Sequence, residues 1–201
     1  MYRKRYLSLM ACCGGDGNLR EEDLSVGKPR MSGTPKIVLV GDYGIGKTSL
    51  VAKYSNRNLA GYAKTTCFDY SEELIDERKC QVWDTAGSEK YKSMMPMYLR
   101  NATVVVIVAD ITRESDCVHA NLREWINIAI KSGPDNARIL LAGSKSDLIS
   151  IEDVKSRCDI VNDLLESGEA IPERVCAVLY PTSAVSGDGV SELFAHIGEH
   201  I

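Results

Sequence analysis

The chain predicts a doubly wound α/β domain: a mostly parallel, six-stranded sheet with one antiparallel strand and five helices. Three observations point to it. Strand-like apolar runs alternate with helix-like segments from Pro35 onward. Val104 to Val108 and Ile139 to Ala142 are continuously apolar, as in parallel strands covered on both faces. A glycine-rich loop directly follows the first apolar run, Ile37-Val38-Leu39-Val40, and such sheets bind ligands beyond the carboxyl ends of their strands.

The elements follow in order. Residues 1–33 read as a flexible extension, because Gly14-Gly15-Asp16-Gly17 and Lys28-Pro29 interrupt a stretch without sustained periodicity. Residues 34–201 form the folded domain. A strand is expected over 36–41 and a helix over 46–56, after the glycine loop. Strands over 67–75 and 79–84 are close enough for a hairpin, which supplies the antiparallel strand. A helix over 89–100, a strand over 103–110 and a helix over 115–131 come next. A strand over 138–144, a helix over 151–167, a strand over 175–182 and a helix over 189–200 complete the alternation.

Bulk composition narrows the class. The chain has 201 residues, 44% hydrophobic and 26% charged, enough for one domain with a real core. No apolar stretch approaches the ~18–20 residues that span a bilayer, and no secretory h-region is visible. Seven cysteines lack a framework spacing, which suits a reduced, cytoplasmic setting. No CxxC or His/Cys cluster suggests zinc. Net charge is −4, with about +2 on residues 1–33 and −6 on the rest. An acidic body argues against nucleic acid as a partner.

The chemistry begins at Gly41-Asp42-Tyr43-Gly44-Ile45-Gly46-Lys47-Thr48, followed by Ser49. It fits Gly-x-x-x-x-Gly-Lys-Ser/Thr between a strand and a helix, as a phosphate-cradling loop requires. The glycines let backbone N–H groups turn toward a phosphate, and Lys47 adds a point charge. Thr48 offers a hydroxyl to Mg²⁺, and the helix start aims its positive dipole end at the same anion. Val82-Trp83-Asp84-Thr85-Ala86-Gly87 ends a second strand in a carboxylate. Asp84 there suits magnesium, usually through water, and Gly87 can place an N–H on a terminal phosphate. Leu140 to Asp147 runs a third strand into Ser144-Lys145-Ser146-Asp147. The Asp147 carboxylate accepts from an amino group and a ring N–H, which describes guanine and mismatches adenine. The Lys145 stem can lie along the base plane. In Pro181-Thr182-Ser183-Ala184 a backbone N–H can reach the guanine carbonyl.

These motifs, in this order, resemble the small GTPases of the Ras superfamily, most closely its Rab branch, over about residues 35–201. Trp83 to Gly87 is similar to the Rab form of the third motif, and Tyr91 with Tyr98-Leu99-Arg100-Asn101-Ala102 to the switch II helix. The resemblance implies the P-loop small G-protein fold, binding of GTP and GDP with Mg²⁺, and hydrolysis that resets a switch. It also implies effectors, exchange factors and activating proteins docking on switch I and switch II, about 58–70 and 87–100. Switch I should carry a Thr that binds Mg²⁺ and senses the γ-phosphate. Thr65 and Thr66 are adjacent candidates, and Thr65 matches the Rab pattern better. Lys47, Thr65, Gly87 and Ser88 occupy the positions tied to hydrolysis. Thr48, Thr65 and Asp84 occupy the metal positions. Vesicle traffic on the cytosolic face of an endomembrane is the implied setting.

Several positions depart from the family. Tyr43 stands where the loop usually has Gly, and crowds the attacking water and the entry of an activating Arg. Ser88 stands where the water-orienting Gln usually lies, and its hydroxyl is too short. Ser144 replaces Asn in the guanine motif, at a cost of about 0.5–1.5 kcal/mol for one lost hydrogen bond. No aromatic stands at the base-stacking position near Asn58 or Leu59, with Tyr62 as a substitute. No Cys follows Cys176, so the terminus as given offers no prenylation site. Arg3-Lys4-Arg5 and Cys12-Cys13 offer either peripheral membrane contact through S-acylation or an ordinary tail. Slow, partner-dependent GTP hydrolysis is expected. The alternative is a non-hydrolysing scaffold holding nucleotide permanently or not at all. Asp147 and Asp84-Thr85-Ala86-Gly87 argue against a P-loop kinase or ATPase.

Overall fold

The computed structural model describes residues 33–58, 65, 67–167 and 170–201. Strands β1 (Lys36–Val40), β2 (Phe68–Ile75), β3 (Arg78–Thr85), β4 (Val104–Asp110), β5 (Arg138–Ser144) and β6 (Val175–Pro181) form one sheet in the order β2-β3-β1-β4-β5-β6. Among the described residues only β2 and β3 pair antiparallel, while β1 pairs parallel with β3 and β4, β4 with β5, and β5 with β6. The described residues hold five α-helices: α1 (Lys47–Tyr54), α2 (Met95–Leu99), α3 (Ser115–Ser132), α4 (Ile151–Ser167) and α5 (Val190–Gly198). The expected fold class is thus the observed one.

The pattern of burial explains the topology. All seven residues of β4 are buried, so it can only be a central strand. The edge strand β2 alternates exposed and half-buried positions, as a one-sided strand should. Its turn to β3 is Asp76-Glu77, both with positive φ (48° and 61°), the mirror-image turn that matches strand twist. One face of the sheet packs Val38, Val105, Ile107 and Leu141 with Leu122 of α3 and Val161 of α4 in a single apolar cluster. α1 and α5 meet each other elsewhere, through Tyr54 stacked on Phe194 with ring centroids 3.7 Å apart.

One expected helix differs. The segment expected as a single helix over 89–100 is a 3₁₀ helix, Glu89–Met94, followed by α2. Pro96 explains the break. It lacks an N–H and is tolerated only in a first turn, so the α-helix restarts at Met95. The effect of the topology is to bring Gly41, Asp84, Asp110, Ser144 and Pro181 to the same carboxyl edge of the parallel strands.

Candidate functional site

The phosphate loop is shaped by its glycines. Gly41 has φ 137°, and a Cβ there would sit 2.3 Å from the Val108 carbonyl oxygen and 2.5 Å from Ile45 Cδ1. No side chain fits between them. Gly46, in the left-handed region at φ 97°, turns the chain into α1. Ile45 is buried beneath the loop, and Ser49 lies half-buried in the first turn of α1.

Lys47 is 5% exposed and curls back over this loop. Its Nζ donates to the carbonyls of Gly41 and Asp42, both at 2.8 Å. Burial lowers its pKa to about 8, although Asp84 and Asp42 pull the other way. An anionic ligand is the natural counterion for a buried ammonium so placed.

Three oxygens converge beside it. Thr48 Oγ1 donates to Asp84 Oδ2, and Thr65 Oγ1 lies 2.9 Å from Thr48 Oγ1 and 3.5 Å from Asp84 Oδ2. Thr48 comes from α1, Thr65 from the segment before β2, and Asp84 from β3. Asp84 is 4% exposed, and its Oδ1 is buried without a hydrogen-bond partner among the described residues. Burial raises its pKa, against the pull of Thr48 and Lys47. Hard oxygen donors with an unsatisfied carboxylate oxygen suit a small divalent cation such as Mg²⁺. Thr66 and Tyr62 lie outside the described residues.

Gly87 approaches the loop as closely as backbone allows. A Cβ there would come within 2.2 Å of the Asp42 carbonyl. Ser88 precedes the 3₁₀ helix in extended conformation, and its carbonyl accepts from Tyr91 N–H at 2.9 Å. Tyr43 is 58% exposed on the rim of the loop.

The guanine-motif residues gather at the ends of β5 and β6. Asp147 is exposed, and its Oδ1 accepts from Ser183 Oγ at 2.6 Å. Ser183 is fully buried, and its hydroxyl also accepts from the N–H groups of Val185 and Ser186. It therefore fixes the orientation of Asp147. Its own N–H donates to Asp188 O at 2.9 Å, so the Ser183 contribution is through the hydroxyl rather than the amide. Ala184 follows on the same half-buried loop. Lys145 adopts a left-handed conformation and pairs with Asp110 at 2.7 Å. Ser144 donates to the Ala109 carbonyl at 3.0 Å, a bond across the sheet.

Sequence reasoning missed the groups that hold these residues. Asp42 is clamped to α3: Asn121 Nδ2 donates to its Oδ2 at 2.7 Å, and Trp125 Nε1 to its Oδ1 at 2.9 Å. Trp125 reads as a core residue of an amphipathic helix, which its 1% exposure makes it, and its indole N–H reaches the loop. Asp110 carried a usable signal, a carboxylate ending an otherwise apolar strand.

Comparison with known proteins agrees with this geometry. The family model described as "Ras family" matches residues 36–201. The chain is 34% identical to the GTP-binding protein ypt5 of Schizosaccharomyces pombe, over 83% of this chain and 77% of that protein. It is 30% identical to human Ras-related protein Rab-22A, over 83% and 82% of the two chains. It is 35% identical to the putative ras-related protein Rab-5B of Dictyostelium discoideum, over 81% and 72%. Because the match spans every strand and α-helix described above, the chain belongs to the Ras family of small GTPases and stands among its Rab-like members.

Proposed function

We propose that this protein is a GTP-binding switch with slow, partner-dependent hydrolysis, acting in membrane traffic on the cytosolic face of an endomembrane. The observation that carries the reading is the meeting of Thr48, Thr65 and Asp84 beside Lys47, with one Asp84 oxygen unsatisfied among the described residues. Thr48, Thr65 and Asp84 would hold Mg²⁺, which when bound would supply positive charge beside the phosphates. The N–H groups of the loop from Asp42 through Thr48 and Ser49 cradle the phosphates. Thr65 couples switch I to the γ-phosphate side of the site. Asp147 recognises guanine, steadied by Ser183, with Ala184 supplying the amide for the guanine carbonyl. Gly87 lets switch II press against the phosphate loop.

Hydrolysis is slow because of two side chains. Tyr43 fills the rim where attacking water and an activating Arg must enter. Ser88 is too short to orient that water. A partner that supplies the missing groups in trans would restore turnover. Partners have an apolar surface to grip: Phe68 stacks on Trp83 at 4.9 Å, Tyr70 meets the same indole edge-on at 5.9 Å, and Phe68, Tyr70 and Met97 are exposed. The basic Arg3-Lys4-Arg5 and Cys12-Cys13, outside the described residues, would supply membrane contact from the tail extending over 1–33.

A second reading is a scaffold that binds partners with permanent or no nucleotide. The Ser144 hydroxyl favours it, because it is spent on Ala109 O within the sheet rather than on the site. Identifying the nucleotide released by denaturing the purified protein, and following loaded GTP with Mg²⁺ over hours, separates the two. Bound guanine nucleotide with measurable GDP formation supports the switch. An empty site that refuses to load refutes it in favour of the scaffold.

A further inference from the structure

The last turn of α5 and the residues just after it bring together the two histidines and one glutamate of His196-Ile197-Gly198-Glu199-His200. Spacings of three and four residues bring them to one side of the helix end. One ligand atom from each lies within 4.8 Å of the others. His196 Nδ1 is 2.8 Å from Glu199 Oε2, and the His196 and His200 rings meet edge-on with centroids 4.9 Å apart. The His196 ring also packs against Tyr180 of β6, at 5.0 Å, which limits its freedom to turn. Its side chain is 12% exposed, and its Nε2 is buried without a hydrogen-bond partner among the described residues. Glu199 is half exposed, leaving the cluster open to solvent on one side.

We infer that His196, Glu199 and His200 form a binding site for a divalent transition-metal ion of the zinc and copper class. Two imidazoles and a carboxylate select such ions over Mg²⁺ or Ca²⁺, which prefer all-oxygen sites. The ion would be held by His196 Nδ1 and Glu199 Oε2 in place of their direct contact, together with His200, and water completes its shell. The sequence shows no CxxC or His/Cys cluster that suggests zinc, and this site uses histidine and glutamate instead. None of the three residues belongs to the candidate nucleotide site.

The test is titration of the reduced full-length chain with Zn²⁺, followed by proton NMR of the imidazole ring protons. The chain has three histidines, so His119 is an internal control. The expected result is that the resonances of two histidines shift together and saturate at one ion, while the third stays. Resonances are assigned with His119→Ala. Equilibrium dialysis should show His119→Ala retaining the ion and His200→Ala losing it. Glu199→Gln should weaken binding, because a neutral amide oxygen is a poorer donor to a divalent ion than a carboxylate. Equal Zn²⁺ binding by His200→Ala and the unmodified chain, or imidazole signals of His196 and His200 that ignore Zn²⁺, would overturn the inference. The NMR readout needs no variant of the site to fold.

Discussion

Removing the Asp42 carboxylate should loosen the phosphate loop from α3, and the size of the effect follows from its two bonds. Asn121 and Trp125 both donate to it, at 2.7 and 2.9 Å. A hydrogen bond to a charged group contributes about 1.5–3 kcal/mol, and a buried donor left without an acceptor costs about 1–3 kcal/mol. Trp125 is 1% exposed, so Asp42→Ala strands its indole N–H with little access to water. The expected loss for Asp42→Ala is about 3 kcal/mol. Part of it belongs to the loop itself, so a double-mutant cycle with Trp125→Phe isolates the bond. Urea unfolding in saturating GDP and Mg²⁺, at two GDP concentrations, separates intrinsic stability from ligand linkage. The coupling energy should fall near 1.5–3 kcal/mol. Release of GDP should also quicken, because the Asp42 N–H belongs to the proposed phosphate cradle and the Asp42 carbonyl accepts from Lys47. A coupling within about 0.5 kcal/mol of zero would show that the two side chains act independently, and the clamp would be refuted.

Three further predictions concern hydrolysis, backbone and pH. Ser88→Gln alone should leave single-turnover GTP hydrolysis nearly unchanged while Tyr43 fills the rim, and Tyr43→Gly with Ser88→Gln should raise it well beyond either single change; a large rise from Ser88→Gln alone sinks the steric account. Gly189 has φ 71°, and a Cβ there would lie 2.0 Å from the Pro181 carbonyl oxygen. Left-handed backbone alone costs about 1–2 kcal/mol, and each kcal/mol lowers Tm by about 2–4 °C in a domain of this size, so Gly189→Ala should melt several degrees lower; an unchanged Tm contradicts it. Burial pushes the Asp110 carboxyl upward, but hydrogen bonds from Lys145 and Thr112 outweigh it and hold the pKa below its ordinary value. The folded value is the lower one, so the stabilisation is present above the unfolded pKa of about 3.9 and is lost as pH falls through the folded value. Asp110→Asn should therefore flatten the acid limb of a urea-midpoint profile below about pH 4, and an unaltered limb would remove the Asp110–Lys145 pair from the account.

Almost the whole framework was legible before the structure. The apolar runs of β1, β4 and β5 have one reading, because a continuous buried strand can only sit inside a sheet covered on both faces. The phosphate loop was equally plain, because Gly41 and Gly46 answer to local backbone geometry and leave a fixed spacing to Lys47 and Thr48. Pro96 was visible too, and its power to split the 89–100 helix into two kinds of turn could have been read from its missing N–H. What the chain order could not show was which side chains meet across it. Asp42 and Trp125 are 83 residues apart, and Lys145 and Asp110 are 35 apart. Their pairing depends on the parallel crossovers that lay β4 beside β5 and fold α3 against the loop. Ser183 orienting Asp147 is the same case, across 36 residues. Sequence alone determined the fold, the phosphate loop and the family resemblance, because those rest on local conformation and short spacings. Only the tertiary structure decided which hydroxyls and carboxylates share a site, because a hydrogen bond or metal ligand is set by distances of a few ångström between atoms far apart along the chain.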